Sequence, residues 1–416
     1  MSVRERLYPT AGQAVALTHH CADARYVWNL GLEQRNMWSG YDQSRKPKFN
    51  VATQMRELAQ ARKTTWLGEG SSVVQQGALR DLDQAFTNWW KGSHQHPTWR
   101  KAGLHEAFKI RDLSVRRVTR RWGEVLVPKV GWVRFRVSGA FDQIVASTSA
   151  RVSLKAGRWH VAFVCVPTAF VKAATGAIVG IDRGVKNSYA TSDGAFGHTP
   201  TLTRGEQNRF LVLQRRMARQ QRDSVRRART KAQLAGVNDR LVRRRKDWVE
   251  QTSTALVRDH DVIALEALNT RGMVRRAAPK PDAENPGQYL SNGARAKSGL
   301  NRAILAQSWG ALQKRIQDKA KLATTPTLAV LVDPKFTSQQ CRSCGYVAAE
   351  NRESQAEFCC QSCGHEAHAD VNAAENILDR AMNMIALEAE GYTAGQTVNG
   401  RVSPTFVGDV NQPAHI

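Results

Sequence analysis

Four cysteines and three carboxylates stand at spacings that chemistry can use. Cys341 and Cys344 form one Cys-x-x-Cys pair, and Cys360 and Cys363 form a second after fifteen intervening residues. Two such pairs at this distance match a four-thiolate zinc site. Gly345 and Gly364 follow the pairs, where the chain must turn tightly round a metal. Cys359 is a spare, because only Cys360 gives the two-residue spacing. A full thiolate set leaves His365 and His368 outside the ligands. It also closes the coordination shell, so the one Zn²⁺ expected here is structural and not a Lewis acid.

The carboxylates are Asp182, at the end of the apolar run AIVGID; Glu266, at the end of DVIALE; and Asp370, at the start of a helical pattern just after the cysteines. Acids are rare in apolar strands unless they are paired or bind a metal. Brought together, these three would hold two Mg²⁺ (or Mn²⁺) ions, hard cations that prefer charged oxygens. Two such ions about 4 Å apart supply an activated water and a stabilised leaving oxygen for phosphodiester hydrolysis. Each acid also has a plainer use. Asp182 suits a turn or a helix cap, Glu266 a solvent-facing strand end, and Asp370 the cap of a helix from Val371.

Composition names the partner. The 416 residues carry 61 Lys and Arg against 36 Asp and Glu, a formal charge of +25. That excess excludes the usual charge-balanced soluble enzyme and points to a polyanion, with nucleic acid the natural one. Arg204 to Lys246 holds fifteen basic residues and three acids in a helical pattern. Arg243, Arg244 and Arg245 are its densest run, and a solvated helix face is the alternative. Arg111, Arg116, Arg117, Arg120 and Arg121 form a second basic cluster. Seven cysteines, five of them within 341–363, do not make a secreted disulfide scaffold. The opening MSVRERLYPT lacks an apolar stretch, and the run 161–171 is too short to span a bilayer and contains Pro167. A cytoplasmic, nucleoid-associated protein with no membrane partner is expected.

The elements that must position these residues read as follows. A short strand covers residues 1–9, helices dominate from Gln13 to about Trp90, and 91–109 reads as a polar loop. Short Val- and Arg-rich strands punctuated by glycine then run to Cys165. They make a small β unit that the first strand could complete, with the helices inserted. From Gly176 the order is strand, second strand, long basic helical crossover, strand, helix, strand, cysteine cluster, helix. That order resembles a ribonuclease-H-like nuclease core. Residues 391–416 read as a weakly ordered tail.

The motifs GIDRGVKN, IALEALN, PKFTSQQCRSCG and CQSCGHEAHADVNAAENI, with RLYPT and VVQQGALRDLDQAF upstream, resemble the TnpB family of transposon-encoded RNA-guided DNA endonucleases. They also resemble the related miniature type V CRISPR effectors (Cas12-like). The resemblance implies an α/β and β multi-domain chain. A β-barrel wedge domain would occupy 1–10 and 111–175, and an inserted helical recognition domain 11–110. A split RuvC-like nuclease would occupy 176–335 and 368–390, a zinc-binding target nucleic-acid-binding element 336–367, and a flexible tail 391–416. By motif, the family's catalytic Asp, Glu and Asp fall on Asp182, Glu266 and Asp370. The partners implied are a noncoding guide RNA and double-stranded target DNA, with one or two chains per RNA left open. A short motif beside the target would be read by the protein, and the resemblance points to the helix holding Gln76. Many relatives carry Asp-Arg-Asp where this chain has His368-Ala369-Asp370; the final acid is kept. Two other readings remain: an effector using a CRISPR RNA, and a nuclease-silent RNA-guided DNA-binding repressor, against which the intact triad argues.

Overall fold

Apolar residues alternate along six of seven short segments of the first 167 residues, and the computed structural model builds all seven into one sheet. The structure describes residues 2–37, 50–139, 141–285, 287–354 and 356–389. The stretch 391–416, expected to be a flexible tail, lies outside the described residues. The chain divides into two compact units, residues 1–167 and 168 onward.

The first unit opens with β1 (Ser2–Leu7) and α1 (Ala11–Asn36). Thr10 starts α1 by a capping box with Gln13, each side chain bonding the other's backbone N–H. Two further helices follow, α2 (Val51–Thr64) and α3 (Ser72–Trp90). Then come β2 (Ala107–Arg111), β3 (Val115–Thr119), β4 (Trp122–Val127), β5 (Gly131–Arg136), α4 (Phe141–Val145), β6 (Ser149–Lys155) and β7 (Arg158–Val164). The strand order is β2-β6-β7-β1-β5-β4-β3, with antiparallel neighbours. β1 lies between β7 and β5, so the helical excursion leaves the sheet and returns to it. Val125, Val133, Phe135, Val152, Val161 and Phe163 form a core with Leu17, Leu32, Leu79 and Leu82 of α1 and α3. The pairing is linear, with β2 and β3 at its ends. Strand hydrogen bonds therefore do not close the expected barrel among the described residues.

Two boundaries differ from expectation. The polar loop ends before Ala107, because Phe108 and Ile110 are buried and pair with β6; 107–110 thus belongs to the sheet and not to the helical segment 11–110. Residues 168–175 belong to the second unit. Phe170 bridges to Ala323, and the Lys172 ammonium bonds Asp261 Oδ1 (2.7 Å), Thr327 Oγ1 (3.0 Å) and the His260 carbonyl (2.8 Å). A lone lysine among Ala, Phe and Val gives no sequence sign of which groups it will meet.

The second unit continues with β8 (Ile178–Asp182), β9 (Tyr189–Thr191), β10 (Phe196–Gly197), α5 (Arg204–Arg219), α6 (Val225–Asp259) and β11 (Val262–Glu266). A short α7 (Thr270–Met273) and the hairpin β12 (Lys280–Pro281) and β13 (Tyr289–Leu290) lead to α8 (Ala294–Ala306) and α9 (Trp309–Leu322). β14 (Leu328–Val332), β15 (Glu357–Cys359), β16 (Glu366–His368) and α10 (Ala369–Ala389) complete it. The main sheet has the order β10-β9-β8-β11-β14, with β8, β11 and β14 parallel and β9 and β10 antiparallel. Its parallel strands are covered on both faces, which suits their near-continuous apolar runs. Val179, Ile181, Ile263 and Leu265 pack with Val249 and Leu256 of α6 and Leu312 and Ile316 of α9. Ala264, Val330 and Val332 pack with Ile377 and Ala381 of α10.

Candidate functional site

Parallel pairing sets Ile181 opposite Leu265. The next residues, Asp182 and Glu266, end neighbouring strands whose backbones run about 4.8 Å apart. Alternation decides where they point. Val179 and Ile181, like Ile263 and Leu265, face α6 and α9, so Gly180, Asp182, Ala264 and Glu266 face α10. Gly180 lets that helix come close: a Cβ there would meet the Ala374 carbonyl oxygen at 2.0 Å and Leu378 Cβ at 2.9 Å. Ala374 lies one turn beyond Asp370 on α10. The contact that seats α10 on β8 therefore carries Asp370 to the strand ends.

The plainer uses of Asp370 and Glu266 do not hold. Asp370 lies inside the first turn of α10, which begins at Ala369, and its N–H donates to His368 Nδ1 (3.2 Å). Glu266 is 5 % exposed. Burial pushes Asp182 up to about 7, and the charges of Glu266 and Asp370 add to the rise, while Arg352 and the Arg183 N–H oppose it. Burial likewise raises Glu266, against Thr337, Arg183 and Arg380. Three carboxylates within Coulomb reach in a dry site favour protonation or a cation between them. The donor set is all oxygen, which fits Mg²⁺ or Mn²⁺ and not a thiophilic ion.

Four side chains hold these acids, and sequence reasoning gave none of them a role. Thr337 Oγ1 donates to Glu266 Oε1 (2.8 Å), Asn187 Nδ2 to Asp370 Oδ2 (2.9 Å), and Arg352 Nη2 to Asp370 Oδ1 (2.9 Å). Arg183 is buried. It donates to the Glu266 carbonyl oxygen and, through Nη1, to Gln313 Oε1 (2.9 Å), while its Nε has no partner. Arg183 and Asn187 sit in the GIDRGVKN stretch, which was a signal. Thr337 sits in the PKFTSQQCRSCG stretch, also a signal, although it lies 71 residues from the acid it touches; Arg352 lies 18 residues from its acid, outside the quoted motifs.

The cysteines cluster as their spacing predicts. One sulfur from each of Cys341, Cys344, Cys360 and Cys363 lies within 4.8 Å of the others. Cys341 and Cys363 are 3.7 Å apart, and Cys344 and Cys360 3.6 Å. Gly345 and Gly364 have φ of 77° and 70°, the left-handed turn a side chain would strain. The N–H groups of Ser362 and Cys363 point at Cys360 Sγ (3.4 and 3.5 Å), as thiolate stabilisation requires. Cys359, His365 and His368 are outside the cluster. This donor set fits Zn²⁺ in a closed tetrahedral shell.

Three family profiles match the chain. They are described as "Probable transposase" over residues 163–277, "Cas12f1-like, TNB domain" over 309–377, and "Helix-turn-helix domain" over 1–43. An Escherichia coli (strain K12) protein with the provisional name RNA-guided DNA endonuclease InsQ is 30% identical over 376 residues, 90% of each chain. The chain belongs to the TnpB/Cas12-like family. A Streptomyces pristinaespiralis protein, provisionally named RNA-guided DNA endonuclease, is 30% identical over 381 residues, 90% of this chain and 87% of its own. The CRISPR-associated endodeoxyribonuclease Cas12f1 of Sulfoacidibacillus thermotolerans is 42% identical over 78 residues, 19% of this chain and 18% of its own. In this TnpB/Cas12-like chain the transposase profile spans Asp182 and Glu266. The TNB profile spans the cysteine cluster and Asp370.

The residues expected to touch nucleic acid are differently placed. Arg111, Arg120 and Arg121 are exposed. Arg116 pairs with Glu124 (2.7 Å) and lies over the Trp132 ring, and Arg117 lies over Phe141. Gln76 is half-buried on α3 beside the buried Gln75. Arg243 is exposed, with Asp239 at 3.4 Å. Arg244 and Arg245 tie the chain together: Arg244 pairs with Glu206 of α5 (2.6 Å), and Arg245 donates to the Pro200 carbonyl (3.0 Å). A count of charges cannot separate such struts from a free basic face.

Proposed function

We propose that this chain is an RNA-guided DNA endonuclease that hydrolyses target phosphodiester bonds at Asp182, Glu266 and Asp370. One observation carries the reading: three carboxylates from β8, β11 and α10 share one face of the sheet, burial holds Asp182 and Glu266 above the ordinary carboxylate range, and the charges of Glu266 and Asp370 add to the rise at Asp182. The order strand, second strand, crossover, strand, helix, strand, helix supports a split ribonuclease-H-like, RuvC-like core. Its relatives' names supply the class of substrate and guide.

Asp182, Glu266 and Asp370 would hold two Mg²⁺ (or Mn²⁺) ions, with Asp182 between its two neighbours. When bound, those ions supply water activation and stabilise the leaving oxygen. The chain's own contribution is orientation. Thr337, Asn187 and Arg352 fix the carboxylates of Glu266 and Asp370 before a target arrives, Arg183 fixes the Glu266 backbone, and burial keeps bulk water from screening the acids. Cys341, Cys344, Cys360 and Cys363 would hold one structural Zn²⁺. The sheet of the first unit, with residues 107–111 included, serves as the wedge; its helices serve as the recognition domain, and Gln76 remains the candidate reader of the adjacent motif.

Base pairing with the guide reads the target, while exposed arginines hold backbone phosphates. Among the described residues no helix is long and apolar enough to cross a membrane, and the reading places the chain in the cytoplasm with nucleic acid. Sequencing the RNA that copurifies with the chain, then assaying cleavage of a matched duplex in Mg²⁺, tests the proposal. A transposon-end RNA supports the transposon-encoded role, and a repeat-derived RNA the CRISPR role. Tight target binding without cleavage supports the repressor reading and overturns the nuclease.

A further inference from the structure

An aromatic ring stands in register with the acids. Antiparallel pairing sets Ala190 of β9 opposite Asp182, and Phe196 of β10 opposite Ala190. Residues directly opposite one another share a face of the sheet. Phe196 therefore lies on the face of Asp182 and Glu266, two strand spacings or about 10 Å from Asp182. Only the methyl group of Ala190 stands between them in that row. Phe196 is 40% exposed.

The hairpin that carries this ring is fixed. Gly194 turns it at a φ of 86°. The N–H groups of Thr191 and Ser188 donate to the carbonyls of Ala195 (2.9 Å) and Gly197 (2.8 Å). The Tyr189 ring fills the space a side chain at Gly197 would need, 2.0 Å from where its Cβ would stand. The Phe196 ring is also braced: His368 meets it edge-on, with centroids 4.8 Å apart and planes at 63°. Aromatic pairs of this geometry attract beyond the area they bury. The His368 imidazole is tied in turn to the helix that bears Asp370, whose N–H donates to Nδ1 (3.2 Å). An acid, which many relatives carry in place of His368, offers no ring for such a contact.

We propose that Phe196, braced by His368, is a stacking platform for the base of an unpaired nucleotide beside the scissile phosphate of single-stranded DNA. This rests on the acid cluster being the nuclease site and adds the contact that holds the strand there. Three features converge on this ligand. The ring's separation from Asp182 matches the reach from a backbone phosphate to the far edge of its base. Stacking is sequence-tolerant, because every base has a π-face; where a guide reads the sequence, the cutting site must grip whatever base arrives. Bases within a duplex already cover both faces by stacking on their neighbours, so an exposed ring selects an unpaired strand. A base held at Phe196 fixes the distance of its phosphate from the acids, and small misplacements of a reacting group slow such chemistry strongly.

The test uses the guide-loaded chain and a matched duplex whose cut positions are first mapped in Mg²⁺. Phe196→Leu keeps an apolar side chain in β10 but removes the ring. It is expected to keep the wild-type denaturant midpoint and target affinity and to cut at least about 5-fold more slowly. Phe196→Tyr keeps the ring and should cut within about twofold of the wild-type rate. An abasic nucleotide, placed on each side of the mapped cut in turn in the strand not paired with the guide, identifies what the ring holds. On one side it should slow the wild type at least about 5-fold and slow Phe196→Leu little further, since both changes remove the same contact. Wild-type cleavage by Phe196→Leu, additive effects of the two changes on both sides of the cut, or a midpoint that falls in step with the rate overturns the platform and leaves the nuclease standing. A wild-type complex that binds its target and never cuts it overturns the nuclease reading, and the inference with it.

Discussion

A methyl group on Gly180 would lie 2.0 Å from the carbonyl oxygen of Ala374. The closest obstacle is backbone, which cannot swing aside, and it belongs to the helix that bears Asp370 one turn earlier. Gly180→Ala must therefore push α10 off β8. Overpacking of this kind costs about 1–3 kcal/mol or more, read as a lower denaturant midpoint. Cleavage should fall further than stability explains, because the displacement separates Asp370 from Asp182. Wild-type cleavage in Gly180→Ala would show that the helix seat does not set the acid geometry.

The raised pKa values give a pH dependence of definite sign. Asp182 rises from an ordinary 3.8 to about 7 on folding, through burial first and then the charges of Glu266 and Asp370. The folded state therefore holds a proton that the unfolded state has released. Stability is full below the unfolded value and falls as pH rises from about 4 to about 7. Above that, a penalty of a few kcal/mol at most remains. In magnesium-free buffer at pH 8, Asp182→Asn should be more stable than wild type, and added Mg²⁺ should stabilise only the wild type. Denaturant unfolding checks both. Equal stability of the two chains at pH 8 contradicts the charge clustering.

How much of this was legible beforehand follows from what kind of signal each feature leaves. AIVGID, DVIALE and TLAVLV are compact apolar runs and became β8, β11 and β14, because strands buried on both faces need apolar residues throughout. The cysteines were legible because metal geometry fixes their spacing. Ala107–Arg111 was missed, since only Phe108 and Ile110 in a polar stretch signal burial. Thr337 and Arg352 were missed because their partners are set by tertiary folding. Arg244 and Arg245 read as a nucleic-acid face, yet Glu206 of α5 pairs with Arg244 and the Pro200 carbonyl, just ahead of α5, takes Arg245.

The four cysteines should bind one zinc per chain, measured by elemental analysis of the purified protein. Cys344→Ser should lose that zinc, because three thiolates leave the shell open. The region 336–368 should then become sensitive to protease. Full zinc retention in Cys344→Ser would remove Cys344 from the ligand set.

The α5–α6 hairpin separates strut from surface. Arg244→Ala breaks the pair with Glu206 and should lower the melting temperature while changing RNA affinity by less than about twofold, since one phosphate contact at most is removed. Reversing the exposed Arg215, Arg216 and Arg229 to Glu should instead weaken RNA or duplex binding and flatten its salt dependence. Unchanged affinity and salt slope in that triple variant would make this an inert solvated face.

The most direct test of the central claim is cleavage of a matched double-stranded DNA by the guide-loaded chain in Mg²⁺, with target binding measured on the same samples. Asp182, Glu266 and Asp370 act as one unit, so each single alanine variant should cut at background, and double variants should lose little more. Guide and target binding should survive in all of them, because distant arginines and base pairing carry it. Cleavage by Asp182→Ala at the wild-type rate would contradict the account.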